Sequence, residues 1–181
     1  AIDIRARMNM WSARRVAQRL EPYDIAWLEE PVMFDNVDSI AQLAREVSVP
    51  VATGEQLYTR WEFRALLEQN AVGIIQPDIC ACGGLLEMRK IAAIAEAHYV
   101  PVAPHNPMGP LATAVNLHFA ISTPNFKILE YLLPGDNHWL DDPYTPVDGY
   151  LEPRDRPGLG VDVDEDAIAH DEYVHWQRTC K

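Results

Sequence analysis

Six strand-like stretches each offer one side chain able to do chemistry near the end of their apolar run. They are Asp3 in AIDIRAR, Glu29 in YDIAWLEEPV, Glu55 in VPVATGE, Asp78 in VGIIQPDI, His105 in VPVAPHN and Glu130 in FKILEYL. Successive members stand 26, 26, 23, 27 and 25 residues apart. Asp3, Glu29 and Glu55 are three carboxylates at one spacing, and carboxylates that converge without a counter-charge repel one another and resist desolvation. Magnesium resolves the conflict, because it takes oxygen ligands in an octahedron and leaves positions for water or substrate. Taken singly, each acid could as well meet an Arg or Lys across the mouth of the fold; three at a common period favour the cation. Asp78 and His105 end the next two strands. Adjacent strands lie about 4.8 Å apart, so these side chains can hydrogen-bond, and a carboxylate on one imidazole nitrogen fixes the tautomer and strengthens the other as a base. His105 is therefore expected to be a general base with Asp78 as its partner. Alternation sends Glu30 to the face opposite Glu29, where it is expected to support a ligand or form a salt bridge.

The elements that must hold these groups follow from the segments between them. SARRVAQRLEPY, NVDSIAQLAREVS, RWEFRALLEQN, GLLEMRKIAAIAEAHY and GPLATAVNLHFAIS read as helices, and in the last three apolar residues recur every three or four positions. A helix of a dozen residues, a strand of five or six and two short loops add up to about the observed period. Strand and helix in alternation predict a parallel sheet. A (β/α)8 barrel builds its active site at the C-terminal ends of its strands. An open doubly wound sheet also binds ligands there, but it does not ring one site with six consecutive strand ends. The expected fold is thus an α/β barrel of the (β/α)8 type, incomplete at its N-terminus, with strands 3 to 8 present. Two further β/α units are expected upstream of Ala1, and the 181 residues alone are expected to be aggregation-prone, through their open sheet edges, or partly folded. The expected division is a partial barrel over residues 1–133 and a tail over 134–181. From Tyr131 onward the chain holds 12 acidic and 4 basic residues and five prolines, a composition suited to packing on the barrel or on a domain preceding Ala1.

Composition excludes several partners. Hydrophobic residues make up 48% of the chain, enough for a sizeable core, and the net charge is −12. Nucleic-acid binding depends on clustered Lys and Arg, whereas Lys90, Lys127 and Lys181 are the only lysines and Arg14–Arg15 is the densest basic spot. No window offers the run of about 18 to 20 apolar residues that a membrane span requires, so no membrane partner is expected and the cytoplasm is the default location. Cys80, Cys82 and Cys180 form no C-x-x-C pair, which indicates neither disulfides nor a zinc site. Cys80 and Cys82 are expected to be small apolar fillers at a strand end.

The motifs WLEEPV, ATGE, QPDICACGG, APHNPMGPLATA and RPGLGVDVDE resemble those of the enolase superfamily, mandelate racemase subgroup, and most closely its acid-sugar dehydratases of the galactonate type. Superfamily members use a Lys or His base with magnesium. The resemblance implies that Asp3, Glu29 and Glu55 bind Mg2+, that Asp78 and His105 form the basic dyad, and that Glu130, in its protonated form, hydrogen-bonds the enolate oxygen. It also implies loss of a β-hydroxyl from an acid-sugar substrate to give a 2-keto-3-deoxy acid, and a homo-oligomer is expected. Racemase, epimerase or cycloisomerase chemistry through the same enolate is the alternative, and a barrel fragment without activity is another. Galactonate dehydratases carry a His two residues after the first metal ligand; Arg5 stands there. A guanidinium is a poor proton donor, so Arg5 is expected to bind the far end of an anionic substrate. Ala81 replaces a His common after QPD.

Overall fold

The computed structural model describes residues 1–132 and 139–170. Four short strands, β1 (Ile2–Asp3), β2 (Leu28–Glu29), β3 (Val51–Thr53) and β4 (Ile74–Ile75), form one parallel sheet in the order β1-β2-β3-β4. Single parallel bridges continue it, pairing Ile75 with Val102, Asp78 with His105 and Val102 with Phe126. Six chain segments therefore lie side by side in sequence order.

Helices α1 (Met10–Leu20), α2 (Val37–Glu46), α3 (Thr59–Glu68), α4 (Leu85–Ala97) and α5 (Pro110–Ile121) fill the connections, and each packs against the next. Local chemistry starts them: the Asn9 and Asn36 side chains cap α1 and α2 by accepting from Ser12 N–H and Ser39 N–H, and Pro110 opens α5. Parallel crossovers are right-handed, so a strand order that never reverses puts all five helices on one face. A doubly wound sheet must reverse its order at a switch point. This sheet does not, which makes it an arc of the (β/α)8 barrel type.

Alternation divides the apolar side chains into two layers. Val51, Ile75 and Val102 pack with Ile40, Leu43, Phe63, Leu66, Met88 and Ile91 between sheet and helices. Ala52, Ile74 and Ala103 face the other way with Trp27, forming the barrel interior. Each large side chain of the first layer contributes about 1.5–3 kcal/mol by burial. Ala52 and Ala103 keep two of the strand positions in the interior layer small, leaving room for polar groups.

The ladders are shorter than the sequence suggests. Pro50, Pro77, Pro101 and Pro104 lie in or beside the strand segments, and each removes a backbone donor. β4 accordingly ends at Ile75, three residues before Asp78. The FKILEYL segment contributes one bridge at Phe126 rather than a strand reaching Glu130. β1 stops at Asp3; Arg5 and Ala6 both have φ 55°, so Arg5 sits in a turn and does not share a strand face with Asp3.

Beyond residue 139 the chain packs on α5. Tyr144, Leu151, Leu159 and Val161 cluster with Ala114 and Leu117. Arg154 organises this segment, donating to the carbonyls of Asp142 at 2.6 Å and Gly160 at 3.2 Å while stacking 4.3 Å from the Tyr144 ring centre. A short helix, α6 (Glu165–His170), follows. The expected boundary between residues 133 and 134, and Cys180, lie outside the described residues. No helix among the described residues is long and apolar enough to cross a membrane.

Candidate active site

Asp3 and Glu29 are direct register partners on β1 and β2. Their neighbours Ile4 and Leu28 belong to a helix-side cluster with Ala17 and Leu20, so alternation turns both carboxylates to the interior. Glu55 arrives differently. The register partner of Glu29 on β3 is Ala52, which leaves Glu55 three residues past that level despite its equal spacing in sequence. Simple alternation from Ala52 would also turn it to the helix side. Gly54 intervenes at φ 143°, and a Cβ there would stand 2.9 Å from both Gln76 N and Phe63 Cε1, so only glycine permits the chain to bend at this point. After the bend, Glu55 Oε2 lies 3.6 Å from His105 Nε2. Burial pushes the Glu55 carboxyl above the usual range, His105 opposes the shift, and the charges of Glu30, Asp3 and Glu29 add to it. The acids thus share one repulsive field.

His105 and Asp78 meet across their bridge, Nδ1 to Oδ2, at 2.8 Å. Asp78 is buried, and its other oxygen accepts the Cys80 N–H at 2.7 Å, which fixes the plane of the carboxylate. Burial opposes a proton on His105, but the Asp78 hydrogen bond and the charges of Glu55, Glu130 and Asp78 outweigh it and raise the imidazole pKa. With Asp78 accepting from Nδ1–H, Nε2 carries the lone pair, the arrangement a base requires.

Glu130 reaches the same region by another route. Its exposed carboxylate accepts the Asn106 N–H at 2.8 Å, and the Asn106 side chain donates to the Glu130 carbonyl at 3.0 Å. Asn106 also donates to Thr113 Oγ1 and accepts from Asn116 Nδ2, each at 2.9 Å. The residue after the histidine is thereby tied to both α5 and Glu130. Arg5 lies at the rim, its side chain 68% exposed and 3.7 Å from Asp3 Oδ2, a geometry worth little in stability.

Glu30 is fully buried at φ 41°. It accepts from Thr53 Oγ1 at 2.7 Å and Gln56 Nε2 at 2.5 Å. Of the two roles expected for it, the salt bridge is not made among the described residues; two neutral donors hold the carboxylate instead. Sequence reasoning also missed Trp27 and Gln76, which both donate to Glu29 Oε2, at 2.9 and 2.6 Å. Period-two alternation was the available signal, since Trp27 and Gln76 stand two residues before Glu29 and Asp78. Nothing in the sequence marked Asn106, Thr113 and Asn116 as one network.

Asp3, Glu29 and Glu55 offer only oxygen donors, which suits a hard divalent cation. Among the described residues, burial pushes the Cys82 thiol up to about 12 and raises that of Cys80 as well, so neither is readily a thiolate; Cys80 is exposed rather than the apolar filler expected. The repulsion felt by Glu55 is the kind that a cation relieves. Among the described residues, however, no three acidic, imidazole or thiol groups are drawn together as a closed metal shell. The site therefore matches magnesium in donor chemistry without presenting a preformed cage.

The arc, with acids and an Asp–His pair at its strand ends, defines a barrel-type α/β domain equipped for acid–base chemistry. Residues 1–167 match the family described as Enolase C-terminal domain-like, and the chain belongs to that family. It is 35% identical over 178 residues to D-galactonate dehydratase of Cronobacter sakazakii, covering 92% of this chain and 46% of that protein. It is 39% identical over 171 residues to D-xylonate dehydratase of Haloferax volcanii, covering 93% and 42%. A crystal structure of an enolase from Agrobacterium radiobacter, described as a candidate galactarate dehydratase with bound sodium and L-malate, superposes with a TM-score of 0.93 at 48% identity, covering 99% of this chain and 50% of that one. The chain spans about half the length of the curated relatives it matches.

Proposed function

We propose that the protein to which this chain belongs is a magnesium-dependent dehydratase of a sugar acid, an aldonate or aldarate. The observation that carries the reading is His105, held by Asp78 on one nitrogen and facing Glu55 with the other. The names of the relatives, galactonate and xylonate dehydratase, supply the substrate class. The malate bound to the Agrobacterium protein, an α-hydroxy acid, is consistent with it.

Asp3, Glu29 and Glu55 would hold the cation. When bound, it supplies positive charge to the substrate carboxylate, without which an α-proton is too weakly acidic for imidazole. His105 Nε2 takes that proton, and Asp78 stabilises the imidazolium that results. Glu130 lies near His105 and is assigned, in its protonated form, to donate a hydrogen bond to the enolate oxygen. Arg5 does not supply the proton for the departing β-hydroxyl, because a guanidinium holds its protons too tightly. The imidazolium of His105 carries one, and its transfer releases water and regenerates the base. The resulting enol tautomerises to the 2-keto-3-deoxy acid. Arg5, exposed at the rim, is placed to meet the distal end of an anionic substrate.

The test is turnover of the full-length protein with magnesium on a panel of aldonic and aldaric acids, scored by formation of a 2-keto-3-deoxy acid. Proton exchange at the α-carbon without loss of water across the whole panel would replace dehydration with racemisation or epimerisation.

A further inference from the structure

Glu29 is held in a way that its neighbours on the sheet are not. Two donors, the Trp27 indole N–H just before β2 and the Gln76 amide just after β4, converge on the single oxygen Oε2 at 2.9 and 2.6 Å. The register explains how they reach it. Trp27 lies two residues before Glu29 on the same interior face. Gln76 lies two residues past Ile74, which pairs with Ala52, the register partner of Glu29. One donor comes from the level below the carboxylate and one from the level above.

The Gln76 amide shows what sets its orientation. The side chain is buried, and its Oε1 finds no hydrogen-bond partner among the described residues. A buried acceptor left unpaired is unfavourable, and such a group calls for an explanation. Here the other end of the amide supplies it: the bond from Nε2 to Glu29 is the side-chain contact that orients Gln76.

We propose that Trp27 and Gln76 are positioning residues that turn Glu29 so that Oε2 is occupied by donors and Oε1 is presented to a divalent cation. Side chains that hydrogen-bond a metal ligand fix its orientation and tune its affinity. The inference rests on the reading of Glu29 as a magnesium ligand, and it assigns the pair no contact with the metal or the substrate.

Trp27→Phe removes the indole N–H while keeping an aromatic ring in the interior layer, and Gln76→Met removes the amide while keeping an unbranched chain of similar length. In the full-length protein, calorimetric titration with Mg2+ should show the dissociation constant rising about tenfold for each variant, toward about 100-fold for the pair. Metal-free melting temperatures should stay close to the parent. Parent-like affinity in both single variants overturns the proposal while leaving the metal site intact. Affinity losses matched by a collapse of the metal-free melting temperature in both also overturn it, since a damaged core would then explain them. If the parent protein itself takes up no Mg2+, the reading of Glu29 as a ligand fails first, and the proposal with it.

Discussion

The Asp78 carboxylate and the His105 imidazole meet at 2.8 Å across one parallel bridge, and this single contact determines which ring nitrogen is available for chemistry. Because Asp78 also accepts the Cys80 N–H, it cannot swing away from the ring without losing a backbone bond. Asp78→Asn keeps an oxygen for Cys80 and removes the charge facing Nδ1. The Asp78 hydrogen bond raises the His105 pKa, so the substitution lowers it. A base works only when deprotonated, above its pKa. The acid limb of kcat/KM for the full-length enzyme should therefore move to lower pH, with the plateau reduced by about 100-fold. A pH–rate profile of both forms checks this; an unmoved limb would separate Asp78 from the base.

Glu55→Gln should weaken Mg2+ binding by at least about tenfold, in line with removal of a charged ligand. The same substitution should raise the melting temperature of the metal-free protein near neutral pH. The Glu55 carboxyl is raised above its ordinary pKa by burial and by Glu30, Asp3 and Glu29. Its charged form consequently costs stability once the pH exceeds the unfolded value, and a neutral amide avoids that cost. Calorimetry with metal and thermal unfolding without it should move in opposite senses.

Gly54→Ala tests the bend that delivers Glu55. The added Cβ meets Gln76 N and Phe63 Cε1 at 2.9 Å, at φ 143°. Strain and overpacking together should destabilise the protein by about 2–5 kcal/mol, measured by denaturant unfolding. Loss of magnesium affinity should accompany it in whatever fraction remains folded.

Much of this arrangement was legible in the sequence, for a physical reason. A repeating β/α unit fixes the distance between strand ends, so Asp3, Glu29, Glu55, Asp78, His105 and Glu130 could be located by counting. Counting did not give register. Equal spacing suggested that the three acids stand level, whereas Glu55 lies three residues past the Glu29 level and is redirected by Gly54. Pro77 ends β4 before Asp78, Glu130 lies four residues past its segment's bridge at Phe126, and a turn at Arg5 and Ala6 takes Arg5 off β1. The amides were hidden more deeply: Gln76 offers only its two-residue offset from Asp78, Asn106 and Asn116 produce no periodic signal, and all three gain their meaning from partners 7 to 47 residues away.

Asn116 is fully buried on α5 and donates to Asn106 Oδ1. Asn116→Ala strands that oxygen in the interior, and a buried acceptor without a donor costs about 1–3 kcal/mol. Denaturant unfolding should show a loss of this size. A change below a few tenths of a kcal/mol would mean that Asn106 finds another donor.

His105 is proposed to remove the α-proton of a sugar acid. Full-length parent and His105→Asn proteins, each loaded with Mg2+ and given in deuterated water an acid that the parent turns over, can be followed by proton NMR. The parent should form a 2-keto-3-deoxy acid carrying solvent deuterium at C3, and the variant should show neither product nor exchange at the α-carbon. Exchange at the parental rate in the variant would assign the proton to a different base and contradict the account.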